Sequence, residues 1–284
     1  MPGTVAVIMP AHAAERTIGP AVRSVLAQTY ADWELWLISD DGRDYAAVLA
    51  EQGIADRRIK HLSSGQVRGG GSRARNIALD ALDTPYAAIL DADDRFKPDK
   101  LARAVAALAE HAIVTTALDV MDEDFAHLRF VGAGPDRVLR AGEHKWVSLS
   151  MDSMVVWDRR RCDARYEPGL PNLTDLDFLM KLYRTSATSF HIGTPLHDYV
   201  KMKVSMSNGP GVTERMIGVK TLLLERLAQG YYPMADAGAA EGISAFLRIS
   251  LDAERRYEQR LAREPGLLFE DNLEPMLQAG QAQQ

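Results

Sequence analysis

Over roughly the first 120 residues, short apolar runs alternate with segments of helical spacing, and few architectures accept that pattern. Residues 5–9 read as a strand, and residues 15–28 as a helix with Ile18, Val22, Val25 and Leu26 on one face. Strands follow at 33–38, 59–62, 86–90 and 113–118. Helices are expected between them at 45–53, 72–82 and 98–110, the last with proline near its start and Leu101, Val105 and Leu108 turned inward. Strands separated by helices imply crossover connections and a parallel sheet covered on both faces. In such sheets ligands sit beyond the carboxyl ends of the strands. Two acidic turns fall there: Asp40-Asp41-Gly42 after the second strand, and Asp91-Ala92-Asp93-Asp94 after the fourth.

The middle of the chain, about 125–205, is less regular. Strands are expected at 153–157, 189–192 and 197–202, with a helix at 173–183. After the breaker cluster Asn208-Gly209-Pro210-Gly211 the pattern turns helical, at 212–229 and 239–263, and residues 278–284 read as a frayed end. This divides the chain into an α/β part over 1–208 and a helical region over 209–284, which covers the acceptor side or mediates self-association.

Composition narrows the partners. A net charge of −6 with a pI near 5.7 excludes nucleic acid as a bulk partner, since such proteins carry a basic stripe. Only short basic clusters occur, such as Arg159-Arg160-Arg161, which reads as a solvated loop. Cys162 is the only cysteine, which leaves no internal disulfide and no multi-cysteine zinc site. No apolar stretch approaches the roughly 20 residues of a membrane span. Met1-Pro2-Gly3 opens without a basic targeting region, so a cytoplasmic location is expected, with contact at the inner membrane face left open.

The turn at 91–94 carries the chemistry. Three carboxylates within four residues repel one another, and a capping turn needs only one. A divalent cation bound to a diphosphate resolves the repulsion, because Mg²⁺ and Mn²⁺ take one or two carboxylates plus phosphate oxygens.

At these residues the chain resembles the family 2 glycosyltransferases of the GT-A fold, from about Val5 to Ser207. Val5-Ala6-Val7-Ile8-Met9-Pro10 is similar to the family's opening strand, and Ser24-Val25-Leu26-Ala27-Gln28-Thr29-Tyr30 to its S-V-L-x-Q-T-Y stretch, with Asp32-Trp33-Glu34-Leu35 after it. Asp40-Asp41-Gly42, Ala74-Arg75-Asn76 and Leu90-Asp91-Ala92-Asp93-Asp94 resemble D-D-G, A-R-N and L-D-A-D-D, and Pro98 and Leu101 its P-x-x-L. The order and spacing of these motifs together carry the resemblance.

The resemblance implies an inverting, metal-dependent transfer of a sugar from a nucleotide-sugar donor to a hydroxyl of a saccharide or lipid-linked acceptor. Surface polysaccharide or glycan synthesis is the implied setting. It further implies that Pro10, Ala11, His12 and Asp40 line the nucleobase pocket, uracil by family habit, and that Arg75 lies near the donor. Asp91 would contact ribose or a metal-bound water, Asp93 would bind Mn²⁺ or Mg²⁺ directly, and Asp94 would buttress the turn. Thr174-Asp175-Leu176-Asp177 is similar to the family's E-D-x-D segment with threonine for glutamate. Asp175 is therefore the expected general base, and Asp177 divides between scaffold and function. The family's D-D-G-S is altered at Arg43, which faces phosphate or solvent, and its asparagine after the tyrosine is Ala13. Its Y-R-x-H segment becomes Tyr199-Val200-Lys201-Met202, which lacks the histidine. His197 nearby reads as structural, and Lys201 or Lys203 is the candidate to neutralise diphosphate.

Gly69-Gly70-Gly71-Ser72-Arg73-Ala74 also fits a dinucleotide fingerprint with Asp91 downstream, the basis of a rival reading as an NAD-dependent oxidoreductase. The polar stretch between Leu62 and Gly69 speaks against it, because the fingerprint glycines follow a strand directly. A nucleotidyltransferase would need an early glycine-rich phosphate loop, which residues 10–17 lack. A degenerate transferase domain serving as a nucleotide-binding scaffold is the remaining alternative.

Overall fold

A computed structural model of the chain describes residues 3–149, 154–202 and 211–281. The first strand, β1 (Val5–Ala11), lies between β2 (Trp33–Ser39) and β4 (Tyr86–Ile89), all parallel, and β3 (Ile59–Ser63) extends the same parallel run outward from β2. Beyond β4 the sheet becomes mixed: β9 (Val156–Asp158) is antiparallel to both β4 and β6 (Ile113–Met121), and β6 runs parallel to β10 (Thr188–Val200). Three short antiparallel strands complete ten: β5 (Arg95–Phe96) and β8 (Arg137–Arg140) on β10, and β7 (His127–Val131) on β6.

The side-chain period of two sorts β1 to opposite faces. Val5, Val7 and Met9 pack against α1 (Ile18–Leu26), α2 (Tyr45–Glu51) and α4 (Lys100–Leu108). Ala6 and Ile8 face α3 (Gly71–Ala81) and α6 (Thr174–Leu182). Both faces are thus covered, as the alternation requires, and each buried Leu or Ile contributes roughly 1.5–3 kcal/mol.

After the described chain resumes at Gly211, α7 (Val212–Ala228), α8 (Ala239–Leu261) and α9 (Phe269–Gln281) follow. A third apolar cluster joins them to α6: Leu176 and Met180 meet Val219, Leu223, Phe246, Leu247 and Leu273. Trp146 of α5 (His144–Val147) packs edge-on to Phe246. Among the described residues no helix is long and apolar enough to cross a membrane.

Several expectations are corrected. The strands expected at 189–192 and 197–202 are one strand, because Gly193-Thr194-Pro195 is absorbed as a bulge against β6 rather than a break. Gly193 is needed there, since a Cβ would lie 2.0 Å from the Gly134 carbonyl. The strand expected at 153–157 begins at Val156, and Ser153 lies outside the described residues. Residues 278–281 are not frayed but end α9, in which Leu273 and Leu277 are buried one turn apart. In the Arg159–Arg161 turn, Arg160 and Arg161 are exposed as expected, whereas Arg159 is anchored by donating to the carbonyls of Leu79, Leu82 and Thr84.

Candidate active site

The carboxyl ends of β1, β2 and β4 open onto a cleft of about 1130 Å³ roofed by the C-terminal helices. Pro10, Ala11, His12, Asp40, Arg75, Asp91, Asp93 and Asp175 all line it. Residues from five separate segments are thus brought to one place.

Asp40 is buried at the end of β2. Its Oδ1 accepts the amide of Gly69 at 3.1 Å and its Oδ2 that of Gly70 at 2.8 Å. This accounts for the glycine run: a Cβ on Gly69 would meet Asp40 Oδ1 at 3.1 Å, and Gly70 sits at φ +92°. The glycines bring backbone to a carboxylate, not to a pyrophosphate. A carboxylate has about four lone-pair sites, so Asp40 keeps capacity for a further donor. Asp41 builds the neighbouring wall: its Oδ2 accepts the Ala13 amide at 2.7 Å and the Tyr45 hydroxyl at 2.8 Å. These contacts, with burial opposing them, hold its carboxyl below the usual range. Ala13 is fixed at φ +50°, where alanine is strained.

Arg43 is exposed, as the solvent-facing reading expects, and its Nε pairs with Glu15 Oε1 at 2.6 Å, because the turn after Gly42 directs it back toward the first helix.

Arg75, one turn into α3, forms an ion pair with Asp91 across the floor of the cleft. Against the cost of its burial, Asp91, Tyr166 and Asp175 keep it protonated. Tyr166 lies under its guanidinium at 5.2 Å and stacks on Phe178 at 4.2 Å. Asn76, next in the helix, holds Tyr166 through both backbone groups at 2.9 and 2.8 Å. The Ala74-Arg75-Asn76 triplet therefore positions its arginine from below.

Arg75 is bound to Asp91, and Asp93 is left with a different environment. Burial and the adjacent Asp91 charge push its carboxyl up to about 6. Asp94 turns inward and buttresses the turn: its Oδ1 accepts the Val200 amide at 2.9 Å, and its Oδ2 meets His197 Nε2 at 2.9 Å. His197 Nδ1 in turn lies 2.9 Å from Lys100 Nζ, and all three side chains are at most 1 % exposed. Burial, with Lys100 adding to it, holds the histidine neutral. Nε2–H then donates to Asp94 while Nδ1 accepts from the ammonium. His197 is structural, as its sequence context implies.

Among the described residues no group of three or more His, Cys, Asp or Glu converges to hold a metal ion. The residues present nonetheless fit a magnesium or manganese ion. Two carboxylates, Asp91 and Asp93, stand on one turn facing the cleft, and such ions complete their shells with phosphate and water.

Asp175 is the second residue of α6, half-buried in the cleft wall, and Leu173 just before the helix sits in the left-handed region at φ +54°. Asp177 belongs to the scaffold: fully buried, it accepts the Tyr232 hydroxyl at 2.7 Å and pairs with Lys181 at 2.6 Å. Lys201 lines the cleft but is paired with Glu270 of α9 at 2.8 Å, and Lys203 lies outside the described residues. Sequence reasoning missed Lys145, Lys220, Glu254 and Glu270, which also face the cleft. Each sits in a helix where a charged residue reads as solvent-facing.

Residues 6–188 match the family described as Glycosyl transferase family 2. The chain belongs to that family. A curated relative, the Escherichia coli UDP-Glc:alpha-D-GlcNAc-diphosphoundecaprenol beta-1,3-glucosyltransferase WfgD, is 37 % identical over 109 residues, 38 % of this chain and 42 % of that one. The match thus spans less than half of the relative's length. Among solved structures, S. aureus TarS 1–349 in complex with UDP-GlcNAc superposes with a TM-score of 0.67 at 15 % identity, over 98 % of this chain and 79 % of that one. The mannosyltransferase PcManGT of Pyrobaculum calidifontis, solved with GDP-Man and Mn²⁺, gives 0.59 at 14 % identity, over 100 % and 87 %. These likenesses establish the GT-A type of fold, a mixed sheet with a parallel half and flanking helices.

Proposed function

We propose that this glycosyltransferase moves a sugar from a UDP-sugar to a hydroxyl of a saccharide or lipid-linked acceptor, with inversion, in the assembly of a surface glycan. The observation that carries the reading is the convergence of Asp40, Arg75, Asp91, Asp93 and Asp175 on one cleft. The neighbour solved with UDP-GlcNAc and the relative named for UDP-Glc support the donor class.

The uracil enters between Pro10, Ala11 and His12, with Asp40 at its edge. Asp93, with Asp91 beside it, holds Mn²⁺ or Mg²⁺, which when bound supplies Lewis-acid stabilisation of the departing diphosphate. Arg75 fixes the orientation of Asp91 from the floor. On the acceptor side Asp175 takes the hydroxyl proton as that oxygen bonds to the anomeric carbon and the bond from this carbon to the diphosphate breaks. A carboxylate half-buried at a helix start keeps enough contact with the cleft to reach an acceptor.

Asp175→Asn separates this role from a structural one. It should lower kcat by about 10²–10⁴-fold with UDP affinity unchanged. Equal loss of turnover and UDP binding would count against Asp175 as base. A wild-type protein that binds UDP but hydrolyses and transfers no nucleotide sugar would point to the scaffold alternative instead.

A further inference from the structure

Beneath the cleft, between α3 and α6, lies an aromatic side chain to which the transfer described above gives no part. Tyr166 is 2 % exposed, and Asn76 of α3 clamps its backbone through both amide groups. Its ring stacks on Phe178 of α6 with the two planes 4° apart, and the Arg75 guanidinium of α3 lies 5.2 Å from its centre. The residues on either side are tied to α6 as well: Lys181 donates to the Arg165 carbonyl at 3.2 Å and lies 3.8 Å from Glu167. The segment 165–167 thus fastens the helix that carries Arg75 to the helix that carries Asp175.

For the stacking alone phenylalanine would serve. The Tyr166 hydroxyl is buried and has no hydrogen-bond partner among the described residues. A buried hydroxyl without a partner costs stability, and native proteins keep few of them. Its surroundings point to a use. Phe178, the stacking partner, follows Asp175 by three residues and so neighbours it on the surface of α6. Burial raises the phenol, the Arg75 charge opposes the rise, and the Asp175 and Asp91 charges add to it. The phenol therefore stays protonated, a donor in the field of two carboxylates. Asp91 is committed to the Arg75 ion pair, whereas Asp175 stands on the helix that the Tyr166 ring already touches.

We propose that Tyr166 is a positioning residue of the transfer, its hydroxyl donating to the Asp175 carboxylate and holding it turned toward the acceptor oxygen. The inference rests on the reading of Asp175 as base and deepens it. Buried beneath the cleft, Tyr166 acts through Asp175 and touches neither donor nor acceptor. A carboxylate that accepts a fixed O–H has one oxygen occupied and offers the other to the acceptor hydroxyl, so its orientation is set before the proton moves. The acceptor proton goes to that second oxygen of Asp175, and the phenol keeps its own.

Tyr166→Phe keeps the ring and removes the hydroxyl alone. With UDP-Glc or UDP-GlcNAc as donor, Mn²⁺ present and water standing in for the acceptor, kcat for UDP release should fall by about ten-fold or more. That is the scale of one hydrogen bond to a charged group, and KM and UDP affinity should be unchanged. The Tm of the ligand-free variant should equal or exceed that of the wild type, because a buried hydroxyl without a partner is gone; a tyrosine with a packing role alone would leave kcat unchanged or lose Tm and turnover together. A second arm needs no turnover. With UDP and Mn²⁺ saturating, the Tm changes of Tyr166→Phe, Asp175→Asn and the double variant should be non-additive. Wild-type kcat in Tyr166→Phe, a loss shared by UDP affinity, a lowered Tm, or strictly additive Tm changes would overturn the role. A wild-type chain that neither binds UDP nor turns over any nucleotide sugar sinks the transferase reading instead, and the same Tm comparison, made without nucleotide, then judges the contact.

Discussion

Replacing Lys100 with methionine probes the element that holds the acidic turn in place. Lys100 is 0 % exposed, and its Nζ reaches His197 Nδ1 at 2.9 Å, the Met154 carbonyl at 3.3 Å and Thr116 Oγ1 at 3.4 Å. Burial pushes its ammonium down to about 7, with the Asp94 charge opposing the fall. Methionine fills nearly the same volume but carries no charge, so His197 Nδ1 loses its donor and Asp94, whose carboxyl burial and the neighbouring Asp93 and Asp91 charges push well above its usual range, loses the positive charge beyond the imidazole. Removing one charged member of a buried hydrogen-bonded network costs about 3–5 kcal/mol. Because His197 can take up a proton and become the counter-ion, the lower end, about 3 kcal/mol, is expected. At roughly 2–4 °C per kcal/mol that lowers Tm by roughly 6–12 °C. Urea unfolding followed by tryptophan fluorescence would measure it, for Lys100→Met, Asp94→Asn and the double variant. The double variant removes both charges and should cost less than the two singles added, by about 0.5–3 kcal/mol. A loss below about 1 kcal/mol for Lys100→Met, the level of an exposed pair, or strict additivity, would refute the argument.

Two further outcomes follow from the site. The Asp93 carboxyl titrates at about 6 in the folded metal-free protein against 3.8 when unperturbed. Its ionisation therefore opposes folding, a penalty fully present above about pH 6 and relieved as pH falls towards 4. The Tm advantage of metal-free Asp93→Asn over wild type should grow as pH rises through about 6, and a difference independent of pH contradicts the assignment. Ala13, exposed and held at φ +50°, should be relieved by Ala13→Asn, which tolerates that backbone region, raising stability by up to about 1 kcal/mol in the same unfolding assay.

The parallel half of the sheet was legible because its strands are buried on both sides and its helices carry one apolar stripe. Val5, Val7 and Met9 alternate with Ala6 and Ile8, and Ile18, Val22 and Val25 recur at helical spacing. The acidic residues were legible for a related reason: strand ends in such a sheet open onto the ligand side, so Asp40, Asp91 and Asp93 could be placed from chain order alone. Asp175 required the resemblance, since a carboxylate opening a helix is equally explained by the helix dipole. What local pattern could not supply was long-range pairing. Arg43 reads as a loop cation until Glu15 is seen beside it, and Lys201 as a phosphate ligand until Glu270 arrives from α9. The final helix escaped because Pro275 lies inside it, although Leu273 and Leu277 carry its buried face. Lys145 and Lys220 look like ordinary surface lysines of their helices, and only the packing of α7–α9 over the cleft turns them inward.

We propose that the turn at Asp91–Asp94 holds a divalent cation against a nucleotide diphosphate. Calorimetric titration of UDP into the wild-type chain and Asp93→Asn, each with and without Mn²⁺, tests it most directly. Mn²⁺ should strengthen UDP binding in the wild type and have no such effect in the variant. UDP affinity indifferent to Mn²⁺ in the wild type, or an equal Mn²⁺ effect in both proteins, would contradict it.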